Sequence, residues 1–162
     1  AKAGIKKHGQ VAVNARFQEF LQLHDKTVFA GKHRSELTKA ERQAVLRAIS
    51  VIKEKQCGKI KGRTVADGRP QRNLYTKDET SSPTVSCDAL MMSILIDAWE
   101  HRDVATADVT GAYLNADLDD FTLLKLEGES VTIMCNVCDD YTKFVCYEQG
   151  KKVLYLQLLK AL

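Results

Sequence analysis

The sequence predicts an α+β chain in which helices pack on antiparallel strands and hairpins, and three observations carry that prediction. Apolar residues recur at near-helical spacing from Val13 to Leu23 and again from Asp88 to His101. Thr38-x-x-Glu41 behind Leu37 has the spacing of a capping box. Two strand-like runs, Lys143 to Tyr147 and Lys152 to Leu156, flank Glu148-Gln149-Gly150-Lys151, which is a hairpin signature. A length of 162 residues is enough for one core. With 28% charged and 44% hydrophobic residues, the composition excludes a disordered or fibrous chain. The longest apolar run, Ala89 to Ile96, is interrupted by Ser93 and followed by Asp97, so no membrane span is expected. No signal peptide is evident, and Ala1 in place of Met points to further sequence upstream.

Residues 1–10, with Lys2, Lys6, Lys7 and two glycines, read as a flexible lead-in. Val13, Phe17, Phe20, Leu21 and Leu23 then give a short amphipathic helix with its aromatics toward the core. A second helix opens at Thr38, with Val45, Leu46 and Ile49 on its inner face, and periodicity lets it continue through Ile52. Residues 53–72 hold Lys53, Lys55, Lys59, Lys61, Arg63, Arg69 and Arg72 against only Glu54 and Asp67. Such a basic stripe suits phosphates, although a solvated face would read the same way. Asn73 to Thr84 is polar, contains Pro83 and reads as a loop. Ser86 or Asp88 can cap the following helix, whose Leu90, Ile94, Leu95 and Ala98 face inward, broadened by Met91, Met92 and Trp99. Val104 to Asp108 reads as a strand, with Ala105 and Ala107 on a face that a helix can approach and Val104, Thr106 and Asp108 on the other. Phe121 to Leu126 and Val131-Thr132-Ile133-Met134 are further strand candidates.

The chemistry readable from residue types alone is limited. Asp108 ends its strand, and a second carboxylate on the same face would be needed to hold a pair of hard cations. Asp103 lies an odd number of residues away and so faces the other side, while Asp117, Asp119 and Asp120 follow the turn as solvated acids. Cys135-x-x-Cys138 has the spacing of half a zinc knuckle, with Cys146 as a conceivable third ligand, but Cys57 and Cys87 stand apart and a zinc site needs four ligands. Free thiols packed as small hydrophobes are expected instead, and no zinc. His8, His24, His33 and His101 show no ligand spacing.

Asp108-Val109-Thr110-Gly111-Ala112-Tyr113-Leu114, with Asn115 and Asp117-Leu118 after it, resembles the first catalytic block of a reverse transcriptase. Glu79-Thr80-Ser81-Ser82-Pro83, His101-Arg102-Asp103 and the closing Leu156-Gln157-Leu158-Leu159-Lys160-Ala161-Leu162 occur in the order found in copia-type LTR retrotransposon polymerases. The resemblance covers roughly residues 50 to 162 and implies the fingers and the first part of the palm of an RNA-directed DNA polymerase. A fingers-like region at 11–103 would carry a basic hairpin at about 50–66, and a partial palm would span 104–162. In place of a continued helix it implies a strand from about Ser50 to Lys55, turned at Cys57-Gly58 into a second from Lys59 to Ala66. Lys61, Arg63 and Val65 then share one face, and Ile60, Thr64 and Ala66 the other.

The resemblance also implies two-metal nucleotidyl transfer with Mg2+ or Mn2+. Asp108 would be the catalytic carboxylate and a metal ligand, joined by the backbone carbonyl of Val109. Arg63, with Lys61, would grip the incoming triphosphate, because a guanidinium fork stays charged and donates two parallel bonds. Asp67 and Arg69 would meet the template, and the amides of Gly111 and Ala112 would cradle phosphates. Tyr113 would be the gate that leaves no room for a 2′-hydroxyl, with a half-buried core aromatic as the competing reading. Expected partners are an RNA template, a DNA primer, deoxynucleoside triphosphates and the downstream part of the polymerase, with no membrane. The expected place is the cytoplasm, in a retroelement particle, or the nucleus. The family's second catalytic block, Tyr-x-Asp-Asp, lies beyond Leu162, so this chain by itself is expected to be inactive. Phe121 to Gly128 departs from the acidic, Pro-x-Gly-containing segment of copia-type elements. A non-catalytic nucleic-acid-binding remnant is the alternative, and a zinc-stabilised interaction module a third.

Overall fold

The computed structural model describes residues 2–72, 76 and 84–162. It is a mixed α+β structure that divides into two units, one formed by 1–70 with 111–162 and the other by 71–110. The larger unit contains every strand among the described residues.

In the larger unit, α1 (Lys2–Asp25) breaks at Gly9, whose φ of +54° is available to glycine at little cost. The lead-in expected as flexible is thus helical from Lys2. Ala12, Arg16, Phe20 and Leu23 form the buried stripe of α1, at the three- and four-residue steps that keep one face together. Of the residues expected inside, Phe20 and Leu23 are buried and Phe17 packs beside them. After β1 (Phe29–Lys32), the predicted capping box is present. Thr38 accepts from the Glu41 amide, and the Glu41 carboxylate accepts from the Thr38 amide at 2.7 Å.

That box opens only a short helix, α2 (Lys39–Ala44), and β2 (Leu46–Glu54) follows at once. The continuation through Ile52 that periodicity allows does not occur, and the strand that the resemblance implied from about Ser50 begins earlier, at Leu46. From Leu46 onward burial alternates with period two, which is a strand's pattern. β3 (Ile60–Ala66) pairs with β2 in an antiparallel hairpin with the register Ile49↔Val65, Val51↔Arg63 and Lys53↔Lys61.

The sheet order is β1-β6-β4-β2-β3, with β5 also on β6. β4 (Asp117–Glu127) pairs antiparallel with β6 (Lys151–Lys160) and briefly parallel with β2 at Leu46↔Leu124. The predicted hairpin joins β5 (Val145–Glu148) to β6. Gln149 at φ 49° and Gly150 at φ 75° are its two central residues, and positive φ at both is what a two-residue loop matching the strand twist demands.

Val131–Met134 is not a strand: it lies in α4 (Glu129–Val137). In the helix Val131, Ile133 and Met134 all enter the core, whereas a strand's alternation would turn Met134 away from Val131 and Ile133. The main core joins these to Phe20, Leu23, Leu124, Leu126, Leu154, Leu156 and Leu158. A smaller cluster of Leu37, Leu123, Val153 and Tyr155 uses the alternate positions of β4 and β6.

In the smaller unit, α3 (Cys87–Trp99) starts where expected, with Ser86 Oγ accepting from the Ala89 amide at 3.2 Å. None of its residues is buried, so the expected inward face of Leu90, Ile94, Leu95 and Ala98 has no cover among the described residues. Residues 102–109 form no strand, which corrects the expected strand at Val104–Asp108. A strand is held by its ladder, no described segment pairs with this one, and its alanines offer little apolar surface of their own. Glu79 to Pro83 lies outside the described residues, as does most of the Asn73–Thr84 loop.

Candidate nucleic-acid interface

The β2–β3 hairpin has one covered and one open face. On the covered face Ala48, Ser50, Thr64 and Ala66 are inside, and Gly62 meets α1 so closely that an added Cβ would stand 2.8 Å from the Ala15 carbonyl oxygen. Glu19 of α1 accepts from the Thr64 amide at 3.1 Å, which ties the edge strand to the helix. On the open face, Ile49, Val51 and Val65 are 40%, 48% and 39% exposed, and Lys53, Lys61 and Arg63 stand beside them. Lys61, Arg63 and Val65 therefore share the face that the resemblance implied.

Of the two acids of the basic stripe, Glu54 is engaged from outside it by Lys7 and Asp67 from within it by Arg69. Glu54 accepts from Lys7 Nζ at 3.1 Å, with His8 Nε2 at 3.7 Å, and this bond holds its carboxyl below the usual range. Asp67 takes the Arg69 fork, with Nε at 2.8 Å and Nη2 at 2.5 Å, and is lowered to about 2 chiefly by that hydrogen bonding. Among the described residues, the side chains of Lys53, Lys61 and Arg63 make no ion pair or hydrogen bond. Lys53 directly opposite Lys61 is a like-charge pair that costs stability in the free chain. An anion laid across them would remove that cost. The expected template residues Asp67 and Arg69 thus sit next to the open face but are occupied with each other.

The second part of the interface is the turn after Thr110. Gly111, at φ 63° and ψ 46°, is left-handed and precedes a short 3-10 helix, Ala112–Asn115. Leu114 packs against the main core and its amide donates to the Gly111 carbonyl at 2.9 Å. Tyr113 points away from that core and is 77% exposed, which is not what a half-buried packing aromatic would show.

Asp108 and Val109 belong to the smaller unit and are exposed, in irregular backbone. Among the described residues no three His, Cys, Asp or Glu side chains gather to hold a metal ion. One carboxylate and one carbonyl do not complete an octahedral oxygen shell, so no chemical step is derived through a metal here. Asp117, expected as a free loop acid, lies at the start of β4 and pairs with Lys160 at 3.2 Å. Cys135 and Cys138 pack against the main core, and Cys146 against the smaller cluster formed by the alternate sheet positions. That separation takes Cys146 away from the other two as a shared-site ligand.

Sequence reasoning missed three groups. Arg16, 3% exposed, donates to Glu129 at 2.7 Å and to Ser130 Oγ at 2.8 Å, while its Nε is buried without a partner. Lys26 Nζ donates to Asn115 Oδ1 at 3.2 Å, beside the Gly111 turn. Glu148 accepts from Lys125 at 2.9 Å, Arg34 at 2.7 Å and the Tyr155 hydroxyl at 2.9 Å. Those bonds, Lys125 and then Arg34 foremost, hold its carboxyl down at about 2 despite burial. Apart from Glu148 and Tyr155 on neighbouring strands of one hairpin, these partners are far apart in sequence, and no spacing rule reaches that distance.

The fold thus defines a mixed α+β chain with a six-stranded sheet, and no helix among the described residues is long and apolar enough to cross a membrane. Comparison with protein-family models, with curated proteins and with solved structures gives no match.

Proposed function

We propose that this chain is the fingers and the first part of the palm of a copia-type reverse transcriptase, an RNA-directed DNA polymerase whose second catalytic carboxylates lie downstream of Leu162. The observation that carries the reading is the charge arrangement on the hairpin. Glu54 and Asp67 are paired off, while among the described residues the side chains of Lys53, Lys61 and Arg63 stay unpaired on one open face beside Ile49, Val51 and Val65. Cations held without counter-charges suit phosphate oxygens, and the exposed apolar strip beside them suits the flat faces of bases. In this reading Arg63 and Lys61 hold the incoming triphosphate. The Gly111–Ala112 backbone offers it further donors, Tyr113 excludes a 2′-hydroxyl, and Asp108 with the Val109 carbonyl would hold one of the Mg2+ or Mn2+ ions of the complete enzyme.

The chain as it stands should bind single-stranded RNA or a primer-template weakly, with affinity falling as salt rises because phosphate contacts release condensed counterions. Charge reversal at Lys61 and Arg63 together should remove most of that binding in a fluorescence titration. Reversal at Arg69 alone should remove less, since Asp67 already neutralises it. If the Lys61 and Arg63 double variant binds as well as the parent, the stripe is only a solvated face.

A further inference from the structure

The exposed Tyr113 is informative about what must hold it. A ring can act as a steric wall only if the backbone beneath it does not move, and Tyr113 itself makes no side-chain hydrogen bond among the described residues. Three tethers hold the turn that carries it. Leu114 is anchored in the main core, the Ala161 amide of the chain's end donates to the Ala116 carbonyl at 3.3 Å, and Lys26 Nζ donates to Asn115 Oδ1 at 3.2 Å. Lys26, the residue just after α1, holds the turn by a side-chain hydrogen bond, whereas the other two tethers act through packing and through the backbone. A Cβ built on Gly111 would lie 3.7 Å from Lys26 Nζ and 3.8 Å from Gln22 Nε2, so these two side chains flank the left-handed residue that sets the turn's direction. Gln22 and Lys26 also line one groove with Lys61 and Gly62 of β3, so the last turn of α1 and the residue after it border both the basic hairpin and the Gly111 turn.

We infer that Lys26 is a positioning residue for the Gly111–Asn115 turn and, through it, for Tyr113. The inference rests on the polymerase reading for what Tyr113 does, but not for the tether itself. Lys26 does not touch the sugar; it fixes the angle at which the ring is offered. Lys26→Met keeps the stem and removes the donor, and Lys26→Arg keeps a donor of similar reach.

Amide hydrogen exchange on the chain itself reads the tether. Exchange at the Leu114 and Ala116 amides should quicken roughly fivefold in Lys26→Met, the size of one net hydrogen bond. It should return toward parent values in Lys26→Arg, with β4 and β6 unchanged. Lys26→Met combined with Asn115→Ala should be no faster than either variant alone. In the polymerase extended downstream, Lys26→Met should raise the absolute rate of ribonucleotide incorporation, and Lys26→Arg should restore discrimination. A residue that merely supports the fold would lower both nucleotide rates together. Unchanged exchange in Lys26→Met overturns the inference, and so does faster exchange with unaltered discrimination in an active parent. An inactive extended parent speaks against the polymerase reading instead, and exchange then decides the tether by itself.

Discussion

Gly62→Ala tests whether the basic hairpin is seated on α1 as a rigid arm. The new methyl would stand 2.8 Å from the Ala15 carbonyl oxygen, 3.1 Å from the Ala15 carbonyl carbon and 3.3 Å from the Arg16 Cα. All three are backbone atoms of a helix packed on the core, so no flexible side chain can swing aside. Either β3 or α1 must shift, and overpacking of this kind costs about 1–3 kcal/mol. For a chain of this size, about 2 kcal/mol lowers the melting temperature by roughly 4–8 °C. The control is Gly68→Ala, where an added Cβ meets nothing within 4 Å and φ is not positive. That substitution should be neutral or slightly stabilising, because alanine narrows the unfolded ensemble. Urea midpoints and melting curves for the two variants, measured side by side, give the comparison. Equal stabilities would mean that β3 does not lie against α1, and the open face of the hairpin would lose its support.

The remaining predictions concern charge. Glu129→Ala should destabilise by about 1–2 kcal/mol in urea titrations, because it takes the carboxylate from the buried Arg16 guanidinium, whereas Arg16→Met should cost less although Arg16 is the more buried partner, since the Nε orphan goes with it. The opposite order would place Arg16 in water. Glu148 is depressed in the folded chain, to about 2 from an ordinary 4.5, so its contribution is fully present above about pH 4.5 and is lost as pH falls toward 2. Glu148→Gln should therefore flatten the acid limb of the stability profile between those values, and an unchanged limb would show that the Lys125 and Arg34 bonds do not form in solution.

Legibility in the sequence followed the range of the forces involved. The Thr38–Glu41 capping box, the Gln149–Gly150 turn, the Ser86 cap and the two faces of Ile60–Ala66 were all readable, because each is decided by neighbours a few residues apart. Val131–Met134 was misread because its β-branched residues suit a strand, whereas the helix Glu129–Val137 is what carries Val131, Ile133 and Met134 into the core. The strand that the resemblance placed from about Ser50 starts earlier, at Leu46, where Leu46 and Arg47 pair with Leu124 and Lys125 far along the chain. At the candidate site, the shared face of Lys61 and Arg63 followed from period two. Which cations lack a counter-charge depended on Lys7 reaching Glu54, a contact that spacing could not supply.

The central claim is most directly tested by Asp108→Asn in a chain extended through the Tyr-x-Asp-Asp block that the polymerase reading requires, assayed by primer extension on an RNA template. The substitution is isosteric and would take one charged ligand from the proposed metal site without removing a packing group, since Asp108 is exposed. The expected result is loss of DNA synthesis with the fold and primer-template binding nearly intact. Retention of more than a few per cent of parent activity would remove Asp108 from the catalytic site, and with it the identification of the Asp108–Tyr113 block.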